Sequence, residues 1–317
     1  MSSMIEKLPY DNPRNVLPVP LPREFEQFDT PLAGAGAGGH GKLGLMELEF
    51  ERQGDRTVRS GYYYRPPLQM FQPIYLDPQR PDMPFIMLLQ NGGGMLQGDR
   101  YRIDIHCNPG AAAHITTQSH GKLYKCEENF ITQVIDITAE AESLIEFLPD
   151  TTIPYRDSRF FQHTALRIDP SATAIIGDIL APGRAAHKEE RHRYTIFYSQ
   201  LEATDLDGNL LVADTIKLEP RSHSPKSPAI LGEMDALGVL YIFTRKIQAD
   251  DLVRDLRVAL AADEHSVSGV STLPNGAGVS VRILGSSAYI VERARTIAWD
   301  TARKALFGVP APNLRKA

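Results

Sequence analysis

The chain has 317 residues, a formal net charge of −5 and two cysteines, and 42% of its residues are hydrophobic. This composition allows a sizeable buried core and excludes a disulfide-stapled miniprotein. Lysine and arginine are spread along the chain, so the charge pattern favours neither nucleic-acid binding nor attachment to a membrane. The sequence has no secretory signal pattern and no run near the ~20 apolar residues of a membrane span. We therefore expect a cytoplasmic protein with reduced thiols.

Residues 1–43 are rich in proline and glycine and lack a hydrophobic period, which predicts an extended N-terminal arm. The run from Gly34 to Gly39 fits the G-x-G-x-x-G pattern of dinucleotide sites. That site needs the loop between a strand and a helix, whereas here a strand pattern follows a proline-rich segment. We interpret the run as a flexible linker and residues 44–317 as a single domain.

From residue 45 the hydrophobic period is two, as where Met46, Leu48 and Phe50 alternate with glutamates. Similar patterns predict strands at 45–51, 101–106, 131–138, 143–148, 164–168, 194–201, 210–217 and 239–244. Turn residues such as Pro182-Gly183 separate them. Many short strands with regular turns predict stacked mixed sheets and not an alternating βαβ sheet.

Two helices are predicted, both near the C-terminal end of the sequence. Asp250 and Asp251 favour the start of the first, and the second spans about residues 287–306, where Gly308 and Pro310 end it. The predicted fold class is therefore mainly β, with stacked mixed sheets and two C-terminal α-helices.

The motifs of common enzymes are missing from the sequence. It contains no G-x-S-x-G nucleophile elbow, and Gly121-Lys122 lacks the remaining residues of a phosphate-binding loop. We therefore expect that the protein is not an enzyme and binds no cofactor tightly.

Metal-storage motifs are missing as well, because there is no C-x-x-C or H-E-x-x-H and the nine histidines are scattered. The densest patch is interpreted as a solvated charged loop; it consists of His187, Glu189, Glu190 and His192. Cys107 and Cys126 are interpreted as small buried apolar residues and not as a metal pair.

Several dense loop motifs remain, and each alone could be turn chemistry at a sheet corner. In chain order they are Gly93-Gly94 to Gly98-Asp99, Pro109-Gly-Ala with Thr116-Thr-Gln118 and Lys122-x-Tyr124, Glu146-x-Leu-Pro-Asp150 with Arg156-x-Ser158, Gly177-Asp178 with Gly183-Arg184, and Arg282-Ile-Leu before the last helix. Together, in order and spacing, they resemble the urease accessory protein D family, also called H in some organisms.

The resemblance implies a mostly β, β-helix-like body over residues 44–317 and a role in urease maturation. It implies that the chain is a non-catalytic scaffold that binds apo-urease and the accessory proteins F and G, the latter a GTPase. Nickel(II) would be a passing cargo. The alternatives are a β-scaffold adaptor without a metal role, and a small-molecule enzyme whose histidines and carboxylates cluster in one mouth.

A conduit must release its ion, so sparse oxygen ligands suit it better than a tight cage of histidine and cysteine. The matched motifs predict a polar nickel path at Asp99, Glu146, Asp178 and Glu189. Further residues are expected to line this path or support it; they are Lys122, Thr117, Gln118, Arg156 and Arg184. We expect Lys122 to pair with a carboxylate, because a buried charge is costly unless it is compensated.

Overall fold

The computed structural model describes residues 20–30, 39–187 and 190–314, which form two stacked β-sheets and three α-helices. The strands are β1 (Leu43–Gln53), β2 (Arg56–Arg65), β3 (Leu68–Met70), β4 (Phe85–Gln90), β5 (Arg100–Cys107), β6 (Ala112–Thr117), β7 (Gly121–Leu123), β8 (Ile131–Ala139), β9 (Leu144–Phe147), β10 (Thr152–Pro154), β11 (Arg159–Ile168), β12 (Thr173–Leu180), β13 (Ile196–Thr204), β14 (Leu210–Leu218), β15 (Ala236–Phe243), β16 (Ser266–Thr272) and β17 (Gly278–Gly285). The helices are α1 (Arg23–Glu26), α2 (Ala249–Ala261) and α3 (Ala288–Phe307).

From β4 to β13 the chain passes back and forth between the two sheets, placing one strand in the seven-stranded sheet and then one or two in the ten-stranded sheet. The seven-stranded sheet has the order β14-β13-β11-β8-β5-β1-β2, and the ten-stranded sheet has the order β16-β17-β15-β12-β9-β6-β4-β3, with β10 paired to β12 and β7 paired to β10. Strands β5, β8, β11 and β13 are parallel neighbours in the first sheet, and β4, β6, β9 and β12 are parallel neighbours in the second. The chain therefore winds in coils, which confirms the predicted mainly β, β-helix-like fold.

The main hydrophobic core lies between the sheets. Met46, Leu48 and Phe50 of β1 point into it, as their alternation with glutamates predicts. A second core lies on the other face of the ten-stranded sheet, where α2 and α3 pack with residues such as Leu256 and Ala298. Strands of the ten-stranded sheet that are covered on both faces are apolar almost throughout.

The two C-terminal helices are confirmed close to their predicted bounds. Helix α3 begins after Ser287, whose side chain accepts a hydrogen bond from the Ile290 amide, and it ends at Gly308, whose φ of 71° places it in the left-handed region.

Part of the predicted N-terminal arm packs on the body. The short helix α1 was not predicted, and its Phe25 is fully buried between Phe130 and Phe161. Residues 1–19 and 31–38, with most of the glycine run, lie outside the described residues.

Gly278, the first residue of β17, should be intolerant of any side chain. Its φ is +134°, and an added Cβ would lie 2.0 Å from the carbonyl oxygen of Ile242. Backbone strain and the clash together should lower the free energy of unfolding of Gly278→Ala by about 3 kcal/mol. Denaturant unfolding measures this change.

The matched control is Gly269→Ala in the neighbouring strand β16, where an added Cβ meets no atom of the described residues within 4 Å. Equal stability of the two variants would contradict the predicted clash.

Candidate functional site

A polar chamber of about 120 Å³ lies between the two sheets. On the seven-stranded sheet its wall contains Tyr101, Gln133 and Gln162, which are in register on β5, β8 and β11. The Gln133 amide donates to Gln162 Oε1 at 3.5 Å, and the Gln162 amide donates to Ser199 Oγ on β13 at 3.4 Å. Parallel pairing thus aligns one polar residue from each strand at the same level of the interior.

The opposite wall comes from the ends of short strands in the ten-stranded sheet. Thr117 ends β6, Lys122 lies on β7 and Thr152 begins β10, and all three line the chamber. His120 and Gly93 also line it and are exposed, so they mark the mouth at the surface. The chamber is therefore a recess that enters the core from one side, and apolar side chains such as Leu88, Met95 and Phe147 line it beside the polar groups.

Asp178 lies at the inner end of the chamber. On β12 it alternates with Ile175 and Ile179, which face the helices, so its carboxylate points between the sheets. The Gln162 amide donates to Asp178 Oδ2 at 2.7 Å. Asp178 is surrounded by protein atoms and keeps a small accessible surface where its carboxylate lines the chamber.

The electrostatic environment of Asp178 disfavours its charge. Burial raises the pKa of Asp178, and the hydrogen bond from Gln162 and the charge of Arg295 offset this only in part. A carboxyl group at the end of a polar recess can bind a cation or a proton, and the two compete for it.

Lys122 and Asp150 are the other charged groups that line the chamber near its mouth. The pairing of Lys122 with a carboxylate stays a prediction. The hydroxyl of Thr117, which also lines the chamber, accepts a hydrogen bond from the backbone amide of Asp150 at 2.9 Å.

Glu146 lies on the other face of the ten-stranded sheet, away from the chamber. Its neighbours Ile145 and Phe147 point into the core between the sheets, so Glu146 points to α3. It is fully buried there, 2.8 Å from His114 Nδ1, and its second oxygen is 3.7 Å from Arg303 Nε. Burial raises the pKa of Glu146, but the hydrogen bond from His114 and the charges of His114 and Arg303 outweigh it, so the pKa is lowered.

The cluster around Glu146 fastens α3 to the sheet. Arg303 is fully buried and also donates to Asp77 at 2.7 Å. The ring of His114 lies between Phe85 and Trp299, with centroids at 4.7 and 5.1 Å. Glu146 therefore serves the packing of a helix, and it does not belong to the chamber.

Asp99 is also buried but organises a turn. Its two oxygens accept hydrogen bonds from the amides of Lys42 at 2.8 Å and Leu96 at 2.9 Å. Burial raises its pKa, and these two amides offset part of the shift. The carboxylate thus fixes the loop before β5, whose Tyr101 lines the chamber.

The remaining predicted residues lie at the surface or outside the described residues. Gln118 and Arg156 are exposed. Arg184 forms an ion pair with Glu190 and stacks on Tyr155, with its guanidinium carbon 4.4 Å from the ring centroid. Glu189 lies outside the described residues.

The patch around residue 190 is less solvated than its sequence suggests. Glu190 is 6% exposed, and His192 Nε2 lies 3.5 Å from Asp235. This part of the prediction is wrong because Arg184 and the loop at Gly183 pack over Glu190. Both cysteines are buried, as expected.

Sequence reasoning missed the polar wall of the chamber. Gln133, Gln162 and Ser199 occupy positions where the strand period expects apolar side chains. A polar residue at such a position on three neighbouring strands is a signal, but it is visible only once the strands are paired.

Within residues 20–30, 39–187 and 190–314, no three His, Cys, Asp or Glu residues are grouped to hold a metal ion. Across the same residues, none of the helices has the length and apolar character needed to cross a lipid bilayer. The fold and the chamber define a mainly β protein of two stacked sheets with a recess in its core.

A protein-family model described as "UreD urease accessory protein" matches residues 42–317 of the chain. The chain therefore belongs to the UreD family of urease accessory proteins, as the sequence motifs predicted. The homologues support a role in urease maturation.

Several relatives match nearly the whole chain. A urease accessory protein UreD 2 of Streptomyces griseus is 36% identical over 281 residues, which cover 88% of this chain and 95% of the relative. A UreD of Photorhabdus laumondii is 32% identical over 91% of this chain and 90% of the relative. A UreD 2 of Brucella suis is 34% identical over 92% of this chain and 96% of the relative.

Glu146→Gln should destabilise the protein strongly, because it removes the buried negative charge that His114 contacts at 2.8 Å and Arg303 at 3.7 Å, and it leaves Arg303 with Asp77 alone. Removing one partner from a buried ion pair costs about 3–5 kcal/mol of unfolding free energy. Denaturant unfolding at neutral pH measures the loss. The control, Glu127→Gln, changes a mostly exposed side chain and should shift the value by less than about 0.5 kcal/mol.

The same variant tests the pKa of Glu146. A lowered folded-state pKa means that the carboxylate stabilises the fold above its unfolded-state pKa, and that this contribution is lost as the pH falls through the lower folded-state pKa. The stability difference between the parent protein and Glu146→Gln should therefore shrink on acidification. A constant difference down to strongly acidic pH would contradict this assignment.

Proposed function

We propose that this chain is a non-catalytic scaffold of the cytoplasmic urease maturation machinery, and that nickel(II) passes through its polar chamber. In this proposal the chain binds apo-urease together with the accessory proteins F and G. The observation that supports it most directly is Asp178, a carboxylate at the inner end of a recess that opens to the surface.

The chamber offers the ligands that a passing ion needs. Its described walls present carboxylate, amide and hydroxyl oxygens, as on Asp178, Gln162 and Thr152. Among the described lining residues, His120 at the mouth has the only imidazole, and none is a cysteine. Nickel(II) binds nitrogen and thiolate ligands tightly, whereas an oxygen lining holds it weakly.

Weak binding is what allows release. A site with nanomolar affinity binds its ion with a free energy of ~12 kcal/mol, and a site with micromolar affinity with ~8 kcal/mol. The weaker binding lets an ion leave on a biological time scale, so the few oxygen ligands of the chamber suit transfer and not storage.

The net charge of the chamber is small as well. Lys122 contributes +1, and Asp150 and Asp178 contribute −1 each, so these lining groups sum to −1 when Asp178 is ionised and to zero when it is protonated. Because burial raises the pKa of Asp178, a proton competes with an arriving cation more strongly there than at an exposed carboxylate. Attraction to a cation is therefore local and centred on Asp178.

Asp178→Asn should separate function from stability. In co-expression with urease and the other accessory proteins, we expect nickel transfer to fall by about tenfold, a modest loss for one charge at short range. The fold should be as stable as the parent or more stable, because Asn keeps the acceptor for Gln162 and removes a carboxylate whose charge burial disfavours. The measurements are nickel content per urease, urease activity and denaturant unfolding.

The matched control is Asp255→Asn, which removes a carboxylate from the exposed face of α2. It should leave nickel content unchanged. Full nickel loading of urease by Asp178→Asn would reject conduction through the chamber. If urease also bound the variant normally, the adaptor without a metal role would become the better description.

A further inference from the structure

Beyond Asp178 the space between the sheets continues towards the opposite edge of the sandwich. Two voids of about 10 Å³ each follow the chamber. Both are lined by Asp178, Ser199 and Val239, and the second also reaches Asp214 and Tyr241. A void of this size holds about one water molecule, so the route narrows sharply past Asp178.

The far end of this route lies at the edge of the sandwich. Asp214 belongs to β14, the edge strand of the seven-stranded sheet, and its side chain is 23% exposed. Tyr241 on β15 and Arg282 on β17 belong to the ten-stranded sheet. The three side chains therefore meet across the gap between the sheets, at the surface.

One carboxylate oxygen joins all three residues. The Tyr241 hydroxyl and the Arg282 guanidinium both donate to Asp214 Oδ2. Arg282 faces the gap because its neighbours Val281 and Ile283 pack on the helix side of the sheet. These contacts close the edge that would otherwise open onto the second void.

We propose that Asp214, Tyr241 and Arg282 form a second mouth of the passage, closed by the ion pair of Arg282 with Asp214, and that a cation arriving from Asp178 opens it by competing with Arg282 for the carboxylate. This inference rests on the proposed passage of nickel(II) through the chamber, and it gives that passage an exit.

The strength of the closure fits this role. The Arg282 side chain is 45% exposed, and an ion pair this accessible to solvent contributes little to the free energy that keeps the edge closed. A divalent cation at Asp214 would replace one positive charge with two, beside a second carboxylate at Asp178. The released guanidinium remains hydrated at the surface, so the exchange leaves no buried charge without a partner.

The competing interpretation is a static seal that only holds the two sheet edges together. A seal and a mouth differ in one respect: loss of Arg282 opens a mouth to small solutes, whereas a seal between well-packed sheets stays shut.

The test uses Ser199→Cys in the full-length chain, because Ser199 lines both small voids. The probe is methanethiosulfonate ethylammonium, a small cation that reacts with thiolates. The two native cysteines are buried, and burial raises the pKa of Cys107 to about 12 and that of Cys126 to about 11, so they react slowly in the folded protein. Modification at position 199 relative to Cys107, followed by mass spectrometry, thus reports local opening and not unfolding.

Adding Arg282→Ala should raise this ratio about fivefold, the effect of removing a partly exposed ion pair. Arg282→Lys should raise it less, because the positive charge remains. The matched control is Arg254→Ala, which removes another exposed ion pair from α2, and it should leave the ratio unchanged. An unchanged ratio in both Arg282 variants would overturn the second mouth.

The labelling needs neither nickel nor urease, so it is independent of the conduction experiment. Unchanged labelling together with a nickel defect in Asp178→Asn would reject the second mouth and keep conduction. Opening at Arg282 together with full nickel loading by Asp178→Asn would reject conduction and, with it, the assignment of this opening as the exit for nickel.

Discussion

The register of the parallel strands determines what the interior can do. Because successive coils place β5, β8, β11 and β13 side by side in the seven-stranded sheet, residues at the same position in these strands lie next to one another between the sheets. At one level these residues are Tyr101, Gln133, Gln162 and Ser199, and at the next levels they are mostly aliphatic. The polar chamber follows from this single row. A shift of one residue in any strand would turn its polar side chain outwards and leave an apolar one in its place.

Two carboxylates of the ten-stranded sheet show that the face on which a side chain lies determines its role. Glu146 and Asp178 lie on the neighbouring strands β9 and β12, but they point to opposite sides of the sheet. Glu146 has its charge compensated by His114 and Arg303, so its pKa is lowered, whereas Asp178 has one amide donor and a raised pKa. The first arrangement stabilises a fold, and the second keeps an ionisable group available to a ligand.

The sequence predicted the elements whose two faces differ most. Strand β1 shows a clean alternation because one face is in the core and the other carries Glu47, Glu49 and Glu51. Strand β12 was not predicted, since both of its faces are buried and its residues are apolar without alternation. The edge strand β2 was missed for the opposite reason: it carries arginines and tyrosines, and most of its residues are at least partly exposed.

The site could be predicted only in part, for the same physical reason. Motif density drew attention to Lys122, Thr117 and Asp178, which line the chamber, but also to Gln118 and Arg156, which lie at the surface. Spacing along a chain does not reveal which face of a sheet a side chain occupies when the strand has no alternation. It also does not reveal which strands become neighbours, and the glutamine row depends on both.

The compensation of charge sets a limit on how such a passage can be built. A buried carboxylate with strong partners, like Glu146, would bind a cation poorly because its charge is already neutralised. A carboxylate without partners would be too costly to keep ionised in the core. Asp178 lies between these limits, with one amide donor, the charge of Arg295 and a chamber large enough to hold water. A group in this position can exchange a proton for a cation without holding the cation for long, and a transfer protein needs that balance where its path begins to narrow.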